Sequence, residues 1–434
     1  MRIAVLAVGT RGDVEPLVAL GAGLRAAGHD VTMATGTRYA RPVHSAGLAF
    51  APLEGDPHDL LAGVHAFAWR SAGRSPLRFG AELRRLAEPL ADALLEEAWA
   101  ACETAEAIIW TPRTPVGYHA AEALGVPGLL AGLQPLMPDA HLACPPFPDL
   151  PLPGPLSRLY NRGGPLISEQ AAWLLSRPLA ERWRSRLGLR PHGLRNPYAR
   201  IRARGRPILY GFSPRVVPKP TWGEQVQVTG YWFLPAAGWE VPAALDRFLA
   251  AGSAPVGITF GSVAGPAADR ALQVALEALA FTGERAVVIG GDLDRIPTRL
   301  REVVLPLPDA PFDRLFPRLS MVVHHGGAGT TAAALRAGVP SVIVPFFADQ
   351  PFWAQRVARM GAAPRPLAAQ RVSPADMVGA FDKAMHDPGM RARAALAGRL
   401  LNQEDGVANA VRAVERAVPS PAPERAVGVQ PASG

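Results

Sequence analysis

The sequence has little cysteine, little lysine and no long hydrophobic run, and each shortage excludes a class of protein. Cys102 and Cys144 are the only cysteines among 434 residues, so they form neither a disulfide framework nor a metal-site spacing. Two isolated thiols suit a reducing cytoplasm, where we expect the protein to reside. Lys219 and Lys383 are the only lysines, and neither lies in a glycine-rich turn, which argues against P-loop and lysine Schiff-base chemistry.

Hydrophobic residues are plentiful but are not arranged in long runs. No apolar stretch approaches the roughly 20 residues that a membrane-spanning helix needs. The opening run Met1–Gly9 is too short to predict a signal peptide. With 49% hydrophobic residues, the chain has enough apolar side chains for the cores of two or more domains.

Positive charge is in excess, because the formal net charge is +8. Nearly all basic residues are arginine, and alanine, glycine and proline are abundant, which is typical of a GC-rich genome. We therefore do not expect a nucleic-acid surface. The arginine-rich stretch Arg182–Arg206 is compatible with a peripheral contact to a membrane surface or to phosphates, although a solvated helix face is the simpler interpretation.

A glycine-rich turn between a predicted strand and a predicted helix is the most informative motif. The apolar run Leu319–His324 predicts a buried strand, and Thr331–Gly338 predicts a helix that ends before Pro340. Between them lie His325, Gly326, Gly327, Ala328, Gly329 and Thr330. A helix N-terminus offers free N–H groups and the positive end of the helix dipole, and both favour a phosphate.

This turn is predicted to hold a diphosphate. Gly327 and Gly329 allow the backbone to approach an anion closely, and His325 and Thr330 add side-chain donors. A tight structural turn is the alternative. Side chains alternate along an extended segment, so His324 is expected to point inward, which argues against a metal shared by the two histidines.

Short apolar runs alternate with helical patterns twice along the chain, which predicts an α/β fold with two Rossmann-like domains. We expect these domains to face each other across a deep cleft, with ligands at the carboxyl ends of the strands. The predicted division is a first domain over 1–215, a proline-rich linker over 216–241, a second domain over 242–390, further helices over 391–418 and a disordered tail over 419–434.

The first βαβ unit is predicted as a strand over Arg2–Val8, a helix over Glu15–Ala27 and a strand over Val31–Ala34. A helix is predicted over Ala81–Thr104. The stretch Leu133–Leu166 is rich in proline and poor in periodicity, so it is predicted to be a loop.

Asp13 is a candidate general base. It lies between the first predicted strand and the first predicted helix, in the sequence Gly9-Thr-Arg-Gly-Asp-Val-Glu-Pro16. Asp is favoured as a helix N-cap, which is the structural interpretation. The functional interpretation is a base at the cleft, since a helix N-terminus keeps a carboxylate ionised. The spacing alone leaves both interpretations open.

Two further polar pairs follow predicted strands. Asp349 and Gln350 come after the strand Ser341–Val344 and suit sugar hydroxyls, although Asp349 could equally cap the next helix. Gly261 and Ser262 end the first strand of the second domain, where they suit a phosphate or ribose or form an ordinary turn.

An Asp-x-Asp pair at Asp292 and Asp294 matches the motif of metal-dependent sugar-nucleotide enzymes. It follows two glycines and precedes several arginines, so a solvated turn is the preferred interpretation. No metal site is therefore predicted.

Together these motifs resemble family 1 glycosyltransferases, the UDP-glycosyltransferase superfamily with the GT-B fold. The resemblance is strongest over Leu307–Gly361 and Met1–Ala34 and extends loosely to about Val418. The stretches His324–Thr331 and Pro345–Gln350 are similar to the branch that contains sterol glucosyltransferases and antibiotic-aglycone glycosyltransferases.

The resemblance implies a role for each matching residue. Asp13 falls at the position of the family's catalytic base, and Ser262 at that of a donor-contacting serine. Asp349 and Gln350 match the pair that binds the sugar hydroxyls. The first domain would bind the acceptor, the second the nucleotide sugar, and the closing helices would pack back on the first domain. The positions that hold the donor diphosphate correspond to His325, Gly327, Ala328, Gly329 and Thr330.

Two positions depart from the family pattern. The ribose-binding glutamate of the plant-type motif is replaced by Ala333, and the base-stacking Trp-x-Pro-Gln reads Asp309-Ala-Pro-Phe312. The choice between UDP and dTDP therefore stays open, while the sterol-like pairs Phe346-Phe347 and Phe352-Trp353 favour UDP-glucose.

The resemblance thus implies an inverting, metal-independent transfer of a sugar, from UDP-glucose or a dTDP-sugar, to a hydroxyl of an apolar small molecule such as a sterol or polyketide. No cofactor beyond this co-substrate is expected. A sugar-nucleotide epimerase and a non-catalytic lipid-binding protein remain alternatives. Residues that could line the acceptor pocket are Phe67, Trp69, Phe79, Met137 and Phe147.

Overall fold

Two parallel β-sheets form the centres of the two halves of the chain in this computed structural model. The structure describes residues 1–53, 92–145, 150, 152–218, 222–235, 238–261, 265–290 and 296–418. The strands are β1 (Arg2–Leu6), β2 (Asp30–Thr35), β3 (Ala49–Pro52), β4 (Ala107–Trp110), β5 (Gly128–Gly132), β6 (Ile208–Tyr210), β7 (Val226–Val228), β8 (Val256–Thr259), β9 (Ala286–Ile289), β10 (Val304–Leu307), β11 (Met321–His324) and β12 (Ser341–Ile343).

Helices connect the strands and cover both sheets. They are α1 (Arg11–Ala26), α2 (Ala40–Ser45), α3 (Val116–Leu124), α4 (Gly154–Arg186), α5 (Pro197–Ala203), α6 (Ala243–Ala250), α7 (Pro266–Thr282), α8 (Phe312–Leu315), α9 (Ala328–Ala337), α10 (Gln350–Arg359), α11 (Pro374–His386), α12 (Pro388–Leu401) and α13 (Gly406–Ala417). Residues 92–102 are helical as well. Short 3₁₀ turns lie at Thr37–Tyr39, Thr298–Leu300 and Phe316–Arg318.

Both sheets have the same internal order. The first runs β3-β2-β1-β4-β5-β6-β7 and the second runs β10-β9-β8-β11-β12, with every neighbouring pair parallel. The central strands are buried and apolar, as expected for parallel strands that carry helices on both faces. The predicted α/β fold with two Rossmann-like domains is confirmed.

The strand order reverses between β1 and β4 in the first sheet and between β8 and β11 in the second. Such switch points open a crevice at the carboxyl ends of the strands, because the two connections leave in opposite directions. Asp13 follows β1, Gly261 follows β8 and His325 follows β11. The candidate residues therefore lie at the switch points.

The last helix, α13, packs on the first domain. Its buried residues Ala410, Val411 and Val414 belong to the same core as β1 and α1. Asn409 donates from Nδ2 to the Thr229 carbonyl at 2.9 Å. Helix α13 therefore completes the core that contains β1 and α1.

Three local predictions differ from the structure. Helix α1 begins at Arg11 instead of Glu15, since Thr10 caps it. Most of the second half of the predicted loop Leu133–Leu166 is helical, because α4 begins at Gly154, and proline is tolerated in a first helical turn. Strand β7 lies inside the predicted linker 216–241 and pairs with β6, so the first sheet extends into that segment.

Two other predictions fall wholly or partly outside the described residues. The predicted tail 419–434 is not described, and neither are residues 81–91 of the predicted helix Ala81–Thr104. Among the described helices, none is long and apolar enough to cross a membrane.

The contact between α1 and α13 predicts a sharp response to a small substitution. A Cβ at Gly23 of α1 would collide with the Val407 side chain, so Gly23→Ala should lower the free energy of unfolding by about 1–3 kcal/mol. Gly379→Ala is the control, because Gly379 lies in α11 with open space around it, and alanine there should be neutral or stabilising by about 1 kcal/mol. Urea denaturation measures both, and equal effects would contradict close packing of α13.

Candidate functional site

Asp13 lies in the first turn of α1 and accepts two hydrogen bonds from the residue that caps the helix. Its Oδ2 accepts from the Thr10 backbone N–H at 2.8 Å and from the Thr10 hydroxyl at 2.9 Å. Thr10, and not Asp13, is therefore the N-cap, and Asp13 is the acidic partner of a capping box. Gly9 makes room for this geometry, since a Cβ there would lie 2.5 Å from Asp13 Oδ2.

Arg113 contacts the other carboxylate oxygen of Asp13. The distance from Arg113 Nε to Asp13 Oδ1 is 3.2 Å. The loop after β4 that carries Arg113 is fixed by Thr114, whose hydroxyl donates to the Leu6 carbonyl at 2.9 Å. Sequence reasoning missed Arg113, because it is one arginine among many and lies in no motif. The available signal is its position directly after the strand that flanks the switch point.

The His325 ring lies in a slot between two glycines. A Cβ on Gly261 would lie 2.9 Å from His325 Cε1, and a Cβ on Gly327 would collide with His325 Nε2. Gly261 also has a φ of +60°, which favours glycine. The structure thus brings together Gly261, from the end of β8, and the glycine-rich turn after β11.

Both histidines of the turn are neutral near neutral pH. Burial lowers the pKa of His325 to about 4, and burial together with the neighbouring His325 lowers the pKa of His324 to about 3. His324 is fully buried, and its Nδ1 accepts from the Gly326 N–H at 3.1 Å. His325 can therefore donate one hydrogen bond to an anion without adding a charge.

Gly327 is the N-cap of α9, and Ala328, Gly329 and Thr330 are its first residues. The N–H groups in a first helical turn have no acceptor within the helix, so they remain available to an anion. Thr330 is buried, with 8% of its surface exposed. The turn at which the sequence predicts a diphosphate site is thus a helix N-terminus.

The N-terminal ends of α1 and α9 touch across the cleft. A Cβ on Gly329 would lie 3.5 Å from the Cα of Gly12, so the two glycines allow the backbones to approach closely. Next to them, Arg11 Nη1 donates to Asp309 Oδ1 at 2.8 Å, and its guanidinium lies 5.9 Å from the Phe312 ring centre. The departure from the family pattern at 309–312 therefore forms part of a contact between the domains.

Asp349 precedes α10 at the carboxyl end of β12. Its Oδ2 accepts from Trp353 Nε1 at 2.9 Å, and the carboxylate makes no cap to the helix backbone. Burial and then the negative charge of Asp13 raise the pKa of Asp349 to about 6, while the Trp353 hydrogen bond opposes the shift. The carboxylates of the two domains therefore interact electrostatically across the cleft. The preceding Ala348 has a φ of +55°, a strained backbone that only the surrounding contacts maintain.

Gln350 is buried, and its side-chain oxygen holds the loop after β12. Oε1 accepts from the Phe346 N–H at 2.8 Å and from the Phe347 N–H at 3.3 Å. A sugar hydroxyl would therefore meet the Gln350 amide nitrogen. Phe352 and Trp353 of α10 are buried, so these aromatic side chains belong to the core.

His119, Glu122 and His192 form a separate cluster whose ligand atoms lie within 4.8 Å of one another, and no other such group is found among the described residues. The Arg184 guanidinium already occupies it, 2.8 Å from Glu122 Oε2 and 3.2 Å from His119 Nδ1. Because that cation neutralises Glu122, the cluster anchors α4 to α3.

Several predicted residues lie outside the described part of the chain. They are Ser262, the Asp292–Asp294 pair, and the acceptor-pocket candidates Phe67, Trp69, Phe79 and Phe147. Met137 is described, and its backbone N–H donates to the Tyr210 hydroxyl at 2.9 Å.

Asp349→Asn should make the protein more stable above pH 6. The pKa of Asp349 is raised from its ordinary value of 3.8 to about 6. The folded state therefore binds more protons in this window, and stability falls as the pH rises through it. We expect a gain on the order of 1 kcal/mol at about pH 7.5, shrinking towards pH 4, because asparagine keeps an acceptor for Trp353. Urea denaturation across this range measures the gain, and a pH-independent difference would contradict the assignment.

Two domain families match the chain on either side of the cleft. Residues 3–141 match the glycosyltransferase family 28 N-terminal domain, and residues 282–415 match the erythromycin biosynthesis protein CIII-like C-terminal domain. The first match contains Asp13 and Arg113, and the second contains His325 and Asp349.

Relatives match over nearly the whole chain. The O-mycaminosyltylonolide 6-deoxyallosyltransferase of Streptomyces fradiae is 36% identical, over 96% of this chain and 97% of that protein. A sterol 3-beta-glucosyltransferase of Arabidopsis thaliana is 35% identical, over 98% of this chain and 69% of that protein. The chain covers only 30% of the sterol 3-beta-glucosyltransferase of Emericella nidulans, which is 33% identical.

Solved structures share the fold. The glycosyltransferase of kitacinnamycin superposes with a TM-score of 0.68 at 20% identity, covering 96% of this chain and 99% of that one. The glycosyltransferase VinC in complex with dTDP superposes with a TM-score of 0.63 at 20% identity, with the same coverage. The fold is therefore GT-B. With relatives of this identity along its full length, the chain belongs to the GT-B glycosyltransferases that include the antibiotic glycosyltransferases and the sterol 3-beta-glucosyltransferases.

Proposed function

We propose that this glycosyltransferase is inverting and metal-independent, and that it moves a sugar from a nucleoside diphosphate to a hydroxyl of an apolar natural product. One observation carries the proposal. The N-terminal turn of α1, which carries Asp13, touches the N-terminus of α9 from the other domain, since a Cβ on Gly329 would lie 3.5 Å from the Gly12 Cα. A base, a sugar-binding carboxylate and the anion-binding turn at His325 thus meet between the two switch points.

Asp13 would remove the acceptor proton as the hydroxyl attacks the anomeric carbon from the face opposite the diphosphate. Two hydrogen bonds from Thr10 and an ion pair with Arg113 support this role, because they fix the position of the carboxylate. Arg113 is about half-exposed, so an incoming hydroxyl can replace it at Oδ1. Because the carboxylate would then hold the acceptor hydroxyl close and aligned, the activation barrier is lowered.

The diphosphate would leave with its negative charge against the N-terminus of α9. The backbone N–H groups of Ala328, Gly329 and Thr330 and the neutral His325 ring are donors whose positions are fixed before the reaction. Preorganised donors of this kind stabilise developing charge, which elsewhere is the work of a metal ion. Asp349 and the Gln350 amide would bind the sugar hydroxyls.

We propose UDP-glucose as the donor, with a dTDP-deoxysugar as the second candidate. The sterol 3-beta-glucosyltransferases among the relatives favour the first, and the 36% identical 6-deoxyallosyltransferase favours the second. The aromatic pairs at 346–347 and 352–353 do not decide the choice, since Phe346, Phe352 and Trp353 are core residues. The acceptor would be an apolar alcohol of the sterol or polyketide class, and family membership favours transfer over the epimerase and lipid-binding alternatives.

Asp13→Asn should reduce kcat by about a hundredfold or more while the protein stays folded, because it removes the proposed base. Asp376→Asn is a matched control. Asp376 is also the acidic partner of a capping box, in α11, and accepts from Ser373 N and Oγ. Transfer from UDP-glucose and from dTDP-sugars to a panel of hydroxylated acceptors is followed by mass spectrometry. Near-parental activity of Asp13→Asn would sink the base assignment, and loss of parental activity in EDTA would contradict metal independence.

His325→Ala should weaken the binding of UDP or dTDP by roughly 10–100-fold, since a buried hydrogen bond to a charged group contributes about 1.5–3 kcal/mol. Isothermal titration calorimetry with UDP and with dTDP measures this loss of affinity, and it also shows which of the two nucleotides the parent protein binds more tightly. His386→Ala, on an exposed position of α11, is the control. Unchanged nucleotide affinity in His325→Ala would contradict a role of His325 in diphosphate binding and would favour a purely structural role for the turn.

A further inference from the structure

Exposed hydrophobic side chains are concentrated in one part of the first domain. Nine of the twelve exposed large hydrophobic residues in the described chain lie between positions 150 and 194. They are Leu150, Leu152, Leu156, Leu159, Leu166, Ile167, Leu174, Leu175 and Leu194. Single exposed leucines are ordinary on protein surfaces, but a cluster of this size marks an interaction site.

Most of these residues form a stripe along α4, which we call the leucine stripe: Leu156, Leu159, Leu166, Ile167 and Leu174. Their separations of 3, 7, 8 and 11 residues place them on one face of a helix. Ile167 is 73% exposed and Leu159 is 70% exposed, so the described residues leave this face largely open to solvent. At 1.5 Å per residue the stripe is about 27 Å long.

The opposite face of α4 is held firmly against the domain. Trp173 and Trp183 are buried, and Trp173 Nε1 donates to the Gly193 carbonyl at 3.2 Å. Glu169 pairs with Arg202 of α5, and Arg184 pairs with Glu122 of α3. The leucine stripe is therefore displayed outward by a rigid element.

The positive charge of the protein is concentrated in the same region. Residues 154–206 contain twelve arginines and two acidic residues, a formal charge of +10, although the whole chain carries only +8. The rest of the chain is thus close to neutral. A GC-rich genome explains why the basic residues are arginine, but it does not explain why their excess is confined to one segment.

Exposed arginines flank the leucine stripe. Arg158 and Arg162 lie within one helical turn of Leu159, and Arg195 follows Leu194 in a loop that packs on α4 through the hydrogen bond from Gln170 to the Leu194 carbonyl. Acidic partners from neighbouring elements reach the far end of the helix, where Asp92 pairs with Arg182 and Arg186. Among the described residues, no ion pair joins an acidic side chain to Arg158, Arg162 or Arg195, so the described acidic side chains leave the charge at the flanks of the stripe in place.

We propose that the leucine stripe and its arginines dock this enzyme on the surface of an anionic lipid bilayer. An apolar helix face bordered by arginine lies in the plane of a membrane interface, with the side chains among the acyl chains and the cations among the head groups. A nucleic acid would leave the leucines without a partner. A second copy of the chain would bring two strongly positive faces together.

The position of α4 relative to the cleft connects membrane docking with delivery of the acceptor. The helix follows the loop after β5 and contacts it through Asn161, which donates to the Ala140 carbonyl at 3.4 Å. That loop lies at the same edge of the first sheet as Asp13 and Arg113. An apolar acceptor dissolved in the bilayer would thus reach the cleft without crossing water. This delivery step rests on the proposed function, whereas the docking does not.

Vesicle sedimentation with the full chain tests the proposal. We expect binding to phosphatidylcholine vesicles that contain about 30 mol% phosphatidylserine to exceed binding to pure phosphatidylcholine by about tenfold or more, and to weaken in high salt. The variant Leu159→Ser, Ile167→Ser, Leu174→Ser should lose about tenfold or more in affinity. The matched control carries Val241→Ser, Phe281→Ser and Leu396→Ser, three exposed apolar residues outside the region.

A second variant tests the arginines that flank the leucine stripe. Arg158→Gln, Arg162→Gln, Arg195→Gln should weaken binding to the anionic vesicles by about fivefold for each arginine. The control variant carries Arg299→Gln, Arg301→Gln and Arg391→Gln. These arginines are exposed, two in the second domain and one in α12. Circular dichroism confirms that each variant is folded.

Three outcomes would overturn the proposal. They are absence of binding to anionic vesicles, equal vesicle binding by the stripe variant and the parent, and a parental dimer that the stripe variant dissociates in analytical ultracentrifugation. Transfer to a water-soluble acceptor, measured in parallel, separates failure of docking from failure of the proposed function. The stripe variant should keep that activity and lose activity toward an acceptor dissolved in vesicles.

Discussion

The N-terminal ends of α1 and α9 meet at Gly12 and Gly329, and the geometry of the candidate site depends on this contact. A Cβ would still fit at either position, at 4.0 Å and 3.5 Å from the opposite backbone, so only side chains larger than alanine would push the ends apart, and with them the carboxylate of one domain and the anion-binding turn of the other. The ion pair between Arg11 and Asp309 spans the same contact, but exposed pairs contribute only about 0–1 kcal/mol. The packing of α13 into the first core is therefore the stronger constraint on how the domains approach.

The N-terminal ends of α1 and α9 face each other and create a region of positive potential. Carboxylates lie beside this region, as expected for negative charge near helix N-termini. Asp13 lies within the first turn of α1 and Asp349 lies across the cleft, so negative charge is already present without a ligand. His325 and His324 are neutral, so they offer N–H donors but carry no positive charge that would draw a carboxylate into an ion pair. A diphosphate would thus enter a site whose charges come from the backbone and from carboxylates.

The sequence was informative where the backbone needs a particular residue and uninformative where a contact depends on tertiary structure. The glycines at 327 and 329 predicted the turn that follows β11. Arg113 could not be found, because its importance comes from the pairing of β1 with β4. The start of α4 was missed because prolines that begin a helix also occur in loops. For Asp13, His325 and Asp349 the residue types suggested a functional role beside a structural one, and only the family resemblance favoured the functional role that we propose.

The crossing of α13 back to the first domain has a consequence for biosynthesis. The ribosome delivers β1 and α1 first and α13 last, so the surface of α1 around Gly23 remains uncovered until Val407 and Val411 have been made. Domains that are independent usually fold in the order of their synthesis. Here the first domain to be translated completes its core only after α13, which follows the second domain in the chain, has been made.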